Sequence, residues 1–296
     1  TLSNFKSFLI SVVYIIMGEL GMVTINSNYA AAFAANSAKQ ISSGLDSAME
    51  KLSSGKRINY ASDDAAGQAI ATRLTAEIQG MAVAARNAAD GQSMLNTAEG
   101  ALQETHNLLL RMRELAVQAG NGTMNSDDQA ALDKEFQALD DEVNRIASKT
   151  TWAGTKLLDA TGGTTGTFKF QAGVLASETI DVSIADMQSA ALGIDGLDVT
   201  DTTNANTAIT EIDKAIKSVS TERANLGAFS NRLESTVANL GQIGVNLAAS
   251  KGRIEDADFA KETGNLAKNQ ILQQAATAML AQANASQGTV LALIQN

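Results

Sequence analysis

The side chains able to do chemistry are few in this chain. Its single histidine, His106, lies in Glu104-Thr105-His106-Asn107, where an imidazole could act as a general base beside a carboxylate. On a helix, however, positions i and i+2 point apart, so His106 reads as a solvated residue on a polar face. Asp140-Asp141-Glu142 is a carboxylate run without the alternating oxygen ligands and central glycine of a calcium loop. It reads as a charged helix face. Asp127-Asp128 fits helix capping better than metal ligation. The short glycine pairs do not build a phosphate-cradling loop followed by lysine. Asn121-Gly122-Thr123 and Asn284-Ala285-Ser286 satisfy the glycosylation acceptor pattern, which has low specificity. Thr161, Thr164 and Thr165 would accept O-modification if exposed, although unmodified turn residues are the plainer reading. No catalytic, cofactor or metal site is expected, and the chain does not read as an enzyme.

Composition narrows the alternatives further. The 296 residues include no cysteine, which excludes disulfides, thiolate metal sites and a cysteine nucleophile. One histidine cannot build a two-histidine zinc site. A net charge of −10 argues against a nucleic-acid partner. Proline is absent, where average usage would supply about 15. Aromatics make up only 4% of a chain that is 45% hydrophobic. Much of that fraction is alanine. Long uninterrupted helices are the expected result.

The elements follow from apolar spacing. Phe33, Ile41, Leu45, Ala48 and Leu52 recur mostly at steps of four and three, until Ser53-Ser54-Gly55 interrupts. Asp63-Asp64 then supplies helix-start chemistry. From Ile70 through Leu74, Ile78, Met81, Ala85, Ala88, Gln92, Leu95, Ala98, Leu102, Thr105, Leu109, Met112 and Ala116 runs a heptad-like seam. One helix from Asp64 to Ala119 would be about 80 Å long and must pack along a partner. Gly120-Asn121-Gly122 ends it, and Ser126 and Asp127 open the next helix, with Leu132, Phe136, Leu139, Val143 and Ile146 on one face. A third long series comprises Ile209, Ile212, Ile216, Val219, Leu226, Leu233, Leu240 and Leu247, with Arg223 at one seam position. A final helix is expected from Asp258 to about Ala285. Only the middle departs, where alternation in Thr167–Phe170 and Thr179–Ile184 predicts a β-hairpin. The fold class is therefore mainly α: a long antiparallel helical bundle or coiled coil formed by both chain ends, with a small β-hairpin region in the middle.

Between Asp258 and Asn296 the only charged residues are Asp258, Lys261, Glu262 and Lys268. A helix so poor in charge and bulky side chains buries too little to order itself. Its stability should come from coupled folding and assembly with copies of the same chain.

Residues 1–21 stand apart. Phe8–Met17 is apolar but shorter than the ~20 residues a membrane span requires. Three readings remain open: Met22 is the natural start, the segment is a cleaved targeting signal, or it is an ordered element.

Specific motifs add to this. Leu52-Ser53-Ser54-Gly55-Lys56-Arg57-Ile58-Asn59 and Asp63-Asp64-Ala65-Ala66-Gly67-Gln68-Ala69-Ile70-Ala71 resemble the N-terminal signature of bacterial flagellins. Arg111-Met112-Arg113-Glu114-Leu115-Ala116-Val117-Gln118 and the turn Thr151–Leu158 do so as well. Arg253–Ala260 and Gln270–Ala275 resemble the C-terminal signature. The resemblance covers about residues 22–296, and the chain looks like a short form without large outer domains. Departures include Trp152 and Ala153 in place of the usual Phe-Asn before Gly154, and no proline in Ser286–Leu291.

The resemblance implies a structural subunit that self-assembles, through coupled folding of its terminal helices, into an extracellular flagellar filament used for motility. It implies no cofactor and no membrane insertion in the mature form. It also implies export through the flagellar type III pathway, with an export chaperone, the filament cap and hook-junction proteins as partners. Residues 22–59 with 258–296 would form the coiled-coil filament core. Residues 60–257 would form a long-helix bundle carrying the hairpin around 160–200. The expected self-assembly residues are Phe33, Ile41, Leu45, Leu52, Leu266, Ile271, Leu272, Met279 and Leu280. Arg111, Leu115 and Glu135 occupy the places by which the vertebrate Toll-like receptor recognises family members. Two alternatives are a hook–filament junction protein and a flagellin-like cell-surface protein that binds a ligand.

Overall fold

The computed structural model describes residues 27–295; the expectations for residues 1–21 lie outside them. The elements are α1 (Tyr29–Ser54), α2 (Ala65–Ala119), α3 (Ser126–Lys149), β1 (Thr151–Trp152), β2 (Thr155–Lys156), β3 (Thr167–Gln171), β4 (Thr179–Ser183), α4 (Ser189–Leu192), α5 (Thr202–Glu255) and α6 (Phe259–Gln295). They form two compact units, one with α1, the start of α2 as far as Ile70, the end of α5 from Gly252 and α6, the other Ala71–Lys251. The division falls inside α2 and α5.

In the first unit, α1 begins at Asn28, whose side chain accepts from the Ala31 N–H, and ends at Gly55 in the left-handed region that favours glycine. It pairs with α6 in antiparallel order. Asn28 Nδ2 donates to the Ala283 carbonyl at one end of the pair. Gly44 lies against Asn269 in the middle, close enough that an added Cβ would come within 3.1 Å of its amide. At the other end Arg57 N donates to the Glu255 carbonyl and Ala257 N to the Gly55 carbonyl, at 2.7 and 2.9 Å. Lys56 Nζ adds an ion pair to Glu255 at 2.6 Å. The following turn is fixed by Asp63, whose carboxylate accepts from the Asn59 and Tyr60 N–H groups. Those two bonds, Tyr60 first, hold its pKa below the ordinary range. Asp64 alone caps α2, accepting from Gly67 N at 2.8 Å.

In the second unit, α2 and α5 run antiparallel, linked by Arg113–Asp213 at 2.7 Å and Arg223–Glu99 at 2.8 Å. The Arg223 that interrupts the apolar series of α5 thus has a partner across the seam. From Ala88 to Ala116 the expected seam is the core, with Leu95, Leu102, Leu109 and Met112 at 1% exposure or less. Its polar members are accommodated: Thr105 is buried and donates to the Ala101 carbonyl, and Gln92 reaches Ser230. Ile70 departs from the pattern. It is 41% exposed. Helix α3 is capped by Asn125, not by Ser126, because the Asn125 side chain reaches the Asp128 N–H. Phe136 and Val143 enter the same core.

Strands β3 and β4 pair in the antiparallel register Thr167↔Ser183 to Gln171↔Thr179, so the expected hairpin is present. It docks on α2 through Asn87 Nδ2, which donates to the Gln171 carbonyl, and through Phe170 over Gly91. A Cβ on Gly91 would lie 2.9 Å from the ring, so the glycine permits this approach.

The shorter β1–β2 hairpin has Ala153 and Gly154 as its two-residue loop, with φ of 48° and 83°. Two consecutive positive φ values match the tight hairpin turn in which Asn-Gly is preferred. Alanine pays a steric cost there that asparagine tolerates better. Ala153→Asn is expected to stabilise the folded monomer by about 0.5–1 kcal/mol. Urea unfolding of the monomer measures this, and an unchanged midpoint would count against a strained turn.

Candidate functional site

The unit built on α1 and α6 is poorly buried. In α1 only Ala48 is buried, and among the described side chains of α6 none is. Ile41, Leu45, Leu52, Leu266 and Leu280 are half-buried in or beside the seam between the two helices. The other expected assembly residues face outward: Phe33 is 65% exposed, Ile271 66%, Met279 64% and Leu272 39%. Phe33, Ile41, Leu272 and Met279 share a groove of about 500 Å³ with Ala30, Ala34 and Ala276. Tyr29, Met49 and Phe259 are also exposed on this pair and were not anticipated, because spacing alone does not distinguish a seam position from the position beside it. Asn28 and the Lys56–Glu255 ion pair hold the two ends of the pair, and small side chains such as Ala30, Ala34 and Ala276 lie along it with the leucines. Small residues let the helices approach, yet they leave Phe33, Ile271, Leu272 and Met279 partly or largely uncovered.

The second unit carries Arg111 and Glu135. Arg111 Nη2 and Nε both reach Glu135 Oε1, at 2.8 and 3.0 Å, and Nη1 reaches Glu114 at 3.0 Å. The hydrogen bond to Glu135 first, then that to Glu114, raises the guanidinium pKa, so Arg111 stays charged. Both partners are about half exposed. Leu115 is placed differently. At 0% exposure it belongs to the core between α2, α3 and α5, and a residue there offers no surface to a partner. The exposed apolar residues on this stretch are Leu110 and Val117.

Asp140 also departs from the solvated face expected of Asp140-Asp141-Glu142. It is 8% exposed, and its Oδ1 has no hydrogen-bond partner. Burial, and then the nearby Asp195, push its carboxyl up to about 6. The native state therefore binds more protons than the unfolded chain between about pH 4 and pH 6. Stability falls as pH rises through that window, and the penalty is complete at pH 7. Asp140→Asn should be more stable than the parent by about 1–2 kcal/mol at pH 7. The gain should fade toward pH 4 in parallel urea titrations. An equal gain at every pH would point to a cause other than ionisation.

Among the described residues no three His, Asp or Glu side chains gather at metal-binding distance. No described helix is long and apolar enough to cross a membrane.

The chain matches the bacterial flagellin N-terminal helical region over residues 25–163 and the C-terminal helical region over residues 209–294. It is 44% identical to a flagellin of Bacillus subtilis over 302 aligned residues, covering 92% of this chain and 99% of that protein. The chain belongs to the flagellin family. A flagellin of Halalkalibacterium halodurans is 46% identical over 84% of this chain and 91% of its own length. The crystal structure of Bacillus cereus flagellin is 37% identical, covering 56% of this chain and 94% of that one, with a TM-score of 0.48. This flagellin is accordingly a structural subunit of the extracellular flagellar filament, not an enzyme. Its 296 residues fit a short form.

Proposed function

We propose that the α1–α6 pair is the polymerising surface of this flagellin, with Phe33, Ile41, Leu45, Leu52, Leu266, Ile271, Leu272, Met279 and Leu280 as its apolar contacts. The observation that supports this most is the incomplete core of the pair. Large apolar side chains line a groove that α1 and α6 do not fill by themselves. Monomeric proteins rarely leave such patches uncovered, and family membership supplies an occupant, further copies of this chain. The assembly unit is then residues 22–59 with 258–296. Until polymerisation covers it, the same apolar surface is the one an export chaperone would need to shield, and the filament cap and hook-junction proteins would meet copies of it. Arg111 and Glu135 form the exposed part of a patch for the vertebrate Toll-like receptor, with Leu115 supporting it from the core.

Removal of residues 258–296 tests the assembly role. The truncated chain is expected to stay monomeric under polymerising conditions, as read by sedimentation and electron microscopy. Filaments formed by the truncation would place the polymerising surface elsewhere.

A further inference from the structure

The turn between α2 and α3 holds the chain's only asparagine followed by glycine, Asn121-Gly122, and its geometry points to a self-modifying site at which Asn121 loses its amide. Both residues are exposed. The Gly122 N–H makes no hydrogen bond within the turn, whose backbone bonds run instead from Asn121 N to the Gln118 carbonyl and from Met124 N to the Asn121 carbonyl. The attacking nitrogen is therefore not held by a partner. The Thr123 N–H donates to Asn121 Oδ1 at 3.3 Å, which folds the carboxamide back along the chain toward Gly122. A donor on that oxygen also stabilises the negative charge it acquires during attack.

The reaction is a ring closure followed by hydrolysis. The Gly122 amide nitrogen gives up its proton to solvent base and its electron pair forms a bond to Asn121 Cγ. Nδ2 takes a proton from solvent, the Cγ–Nδ2 bond breaks and ammonia leaves, so a five-membered imide remains. Water adds to either carbonyl of that ring, the bond from that carbon to the Gly122 nitrogen breaks and the nitrogen takes a proton, giving aspartate or its isopeptide isomer. One water enters and one ammonia departs, and nothing is oxidised or reduced. Neighbouring Asn125 is held differently, because its side chain caps α3 through Asp128 N. Gly122 contributes by its small size: no atom lies within 4 Å of an added Cβ, and its φ lies outside the left-handed region. Alanine therefore fits without strain, while its side chain obstructs attack.

The test incubates the full-length monomer at mildly alkaline pH, in buffer and in urea, and follows each asparagine-containing peptide by mass spectrometry with separation of the isoaspartyl form. In the folded protein, Asn121 is expected to convert at least as fast as in the unfolded chain, and on the order of tenfold faster than Asn125. Gly122→Ala should slow the conversion by a similar factor with an unchanged unfolding midpoint. A folded rate well below the urea rate, or no slowing in Gly122→Ala, would overturn the assignment.

Discussion

Ile271→Asp is expected to leave a folded monomer that no longer polymerises. Ile271 is 66% exposed on α6, so an aspartate there meets water and the α1–α6 seam is untouched. In an assembled polymer that covers this face, the isoleucine would contribute about 1–2 kcal/mol of apolar burial. A carboxylate in its place would lose that and add a desolvation cost of at least about 2 kcal/mol. Together these raise the concentration needed for assembly by roughly a hundred- to a thousandfold. Sedimentation under polymerising conditions and electron microscopy read the outcome, and thermal unfolding of the monomer serves as the control. Met279→Asp should behave alike, being equally exposed and on the groove. Ile271→Leu should assemble near the parent concentration. If Ile271→Asp forms normal filaments at that concentration, the exposed face of α6 is not a contact surface.

How far the sequence disclosed these features depended on which physical signal each carries. The long helices were legible because the seam from Ala88 to Ala116 keeps helical spacing without proline, and a buried stripe is the only use for it. Alternation in Thr167–Phe170 and Thr179–Ile184 disclosed the hairpin for the same reason, at the period of a strand. What spacing could not disclose was depth. Leu115 and Val117 are two residues apart in one motif, yet the first is in the core and the second is half exposed. Asp140 sits in a run of three carboxylates that reads as a solvated face, although the helix turns only this one inward. On α1 and α6 the apolar pattern was plain, but whether it faced the partner helix or the outside depended on how much surface two alanine-rich helices can cover. The turn at Ala153 was visible only as a departure from the family's asparagine. Its positive φ gives that departure a physical cost.

Leu115→Ala separates packing from contact at the proposed receptor patch. The side chain is wholly buried between α2, α3 and α5, so truncation removes buried methyl groups and leaves a cavity, costing about 2–4 kcal/mol. Urea unfolding of the monomer should show this as an earlier midpoint, whereas Arg111→Ala, which removes an exposed ion pair, should leave the midpoint unchanged. In cells reporting Toll-like receptor activation, Arg111→Ala is expected to weaken the response without any loss of folding. Leu115→Ala should weaken it only as far as its structure loosens. Leu115→Met keeps the volume and the apolar character, so it should retain both stability and response. A Leu115→Met variant with parental stability and no response would show that the leucine itself touches the receptor, and therefore that α2 and α3 part to expose it. A Leu115→Ala variant as stable as the parent would remove the leucine from the core altogether. With both outcomes, the Arg111–Glu135 pair and the leucine beneath it would make distinguishable contributions to the proposed patch, one by charge at the surface and one by the packing that holds α2 and α3 at the spacing this pair requires.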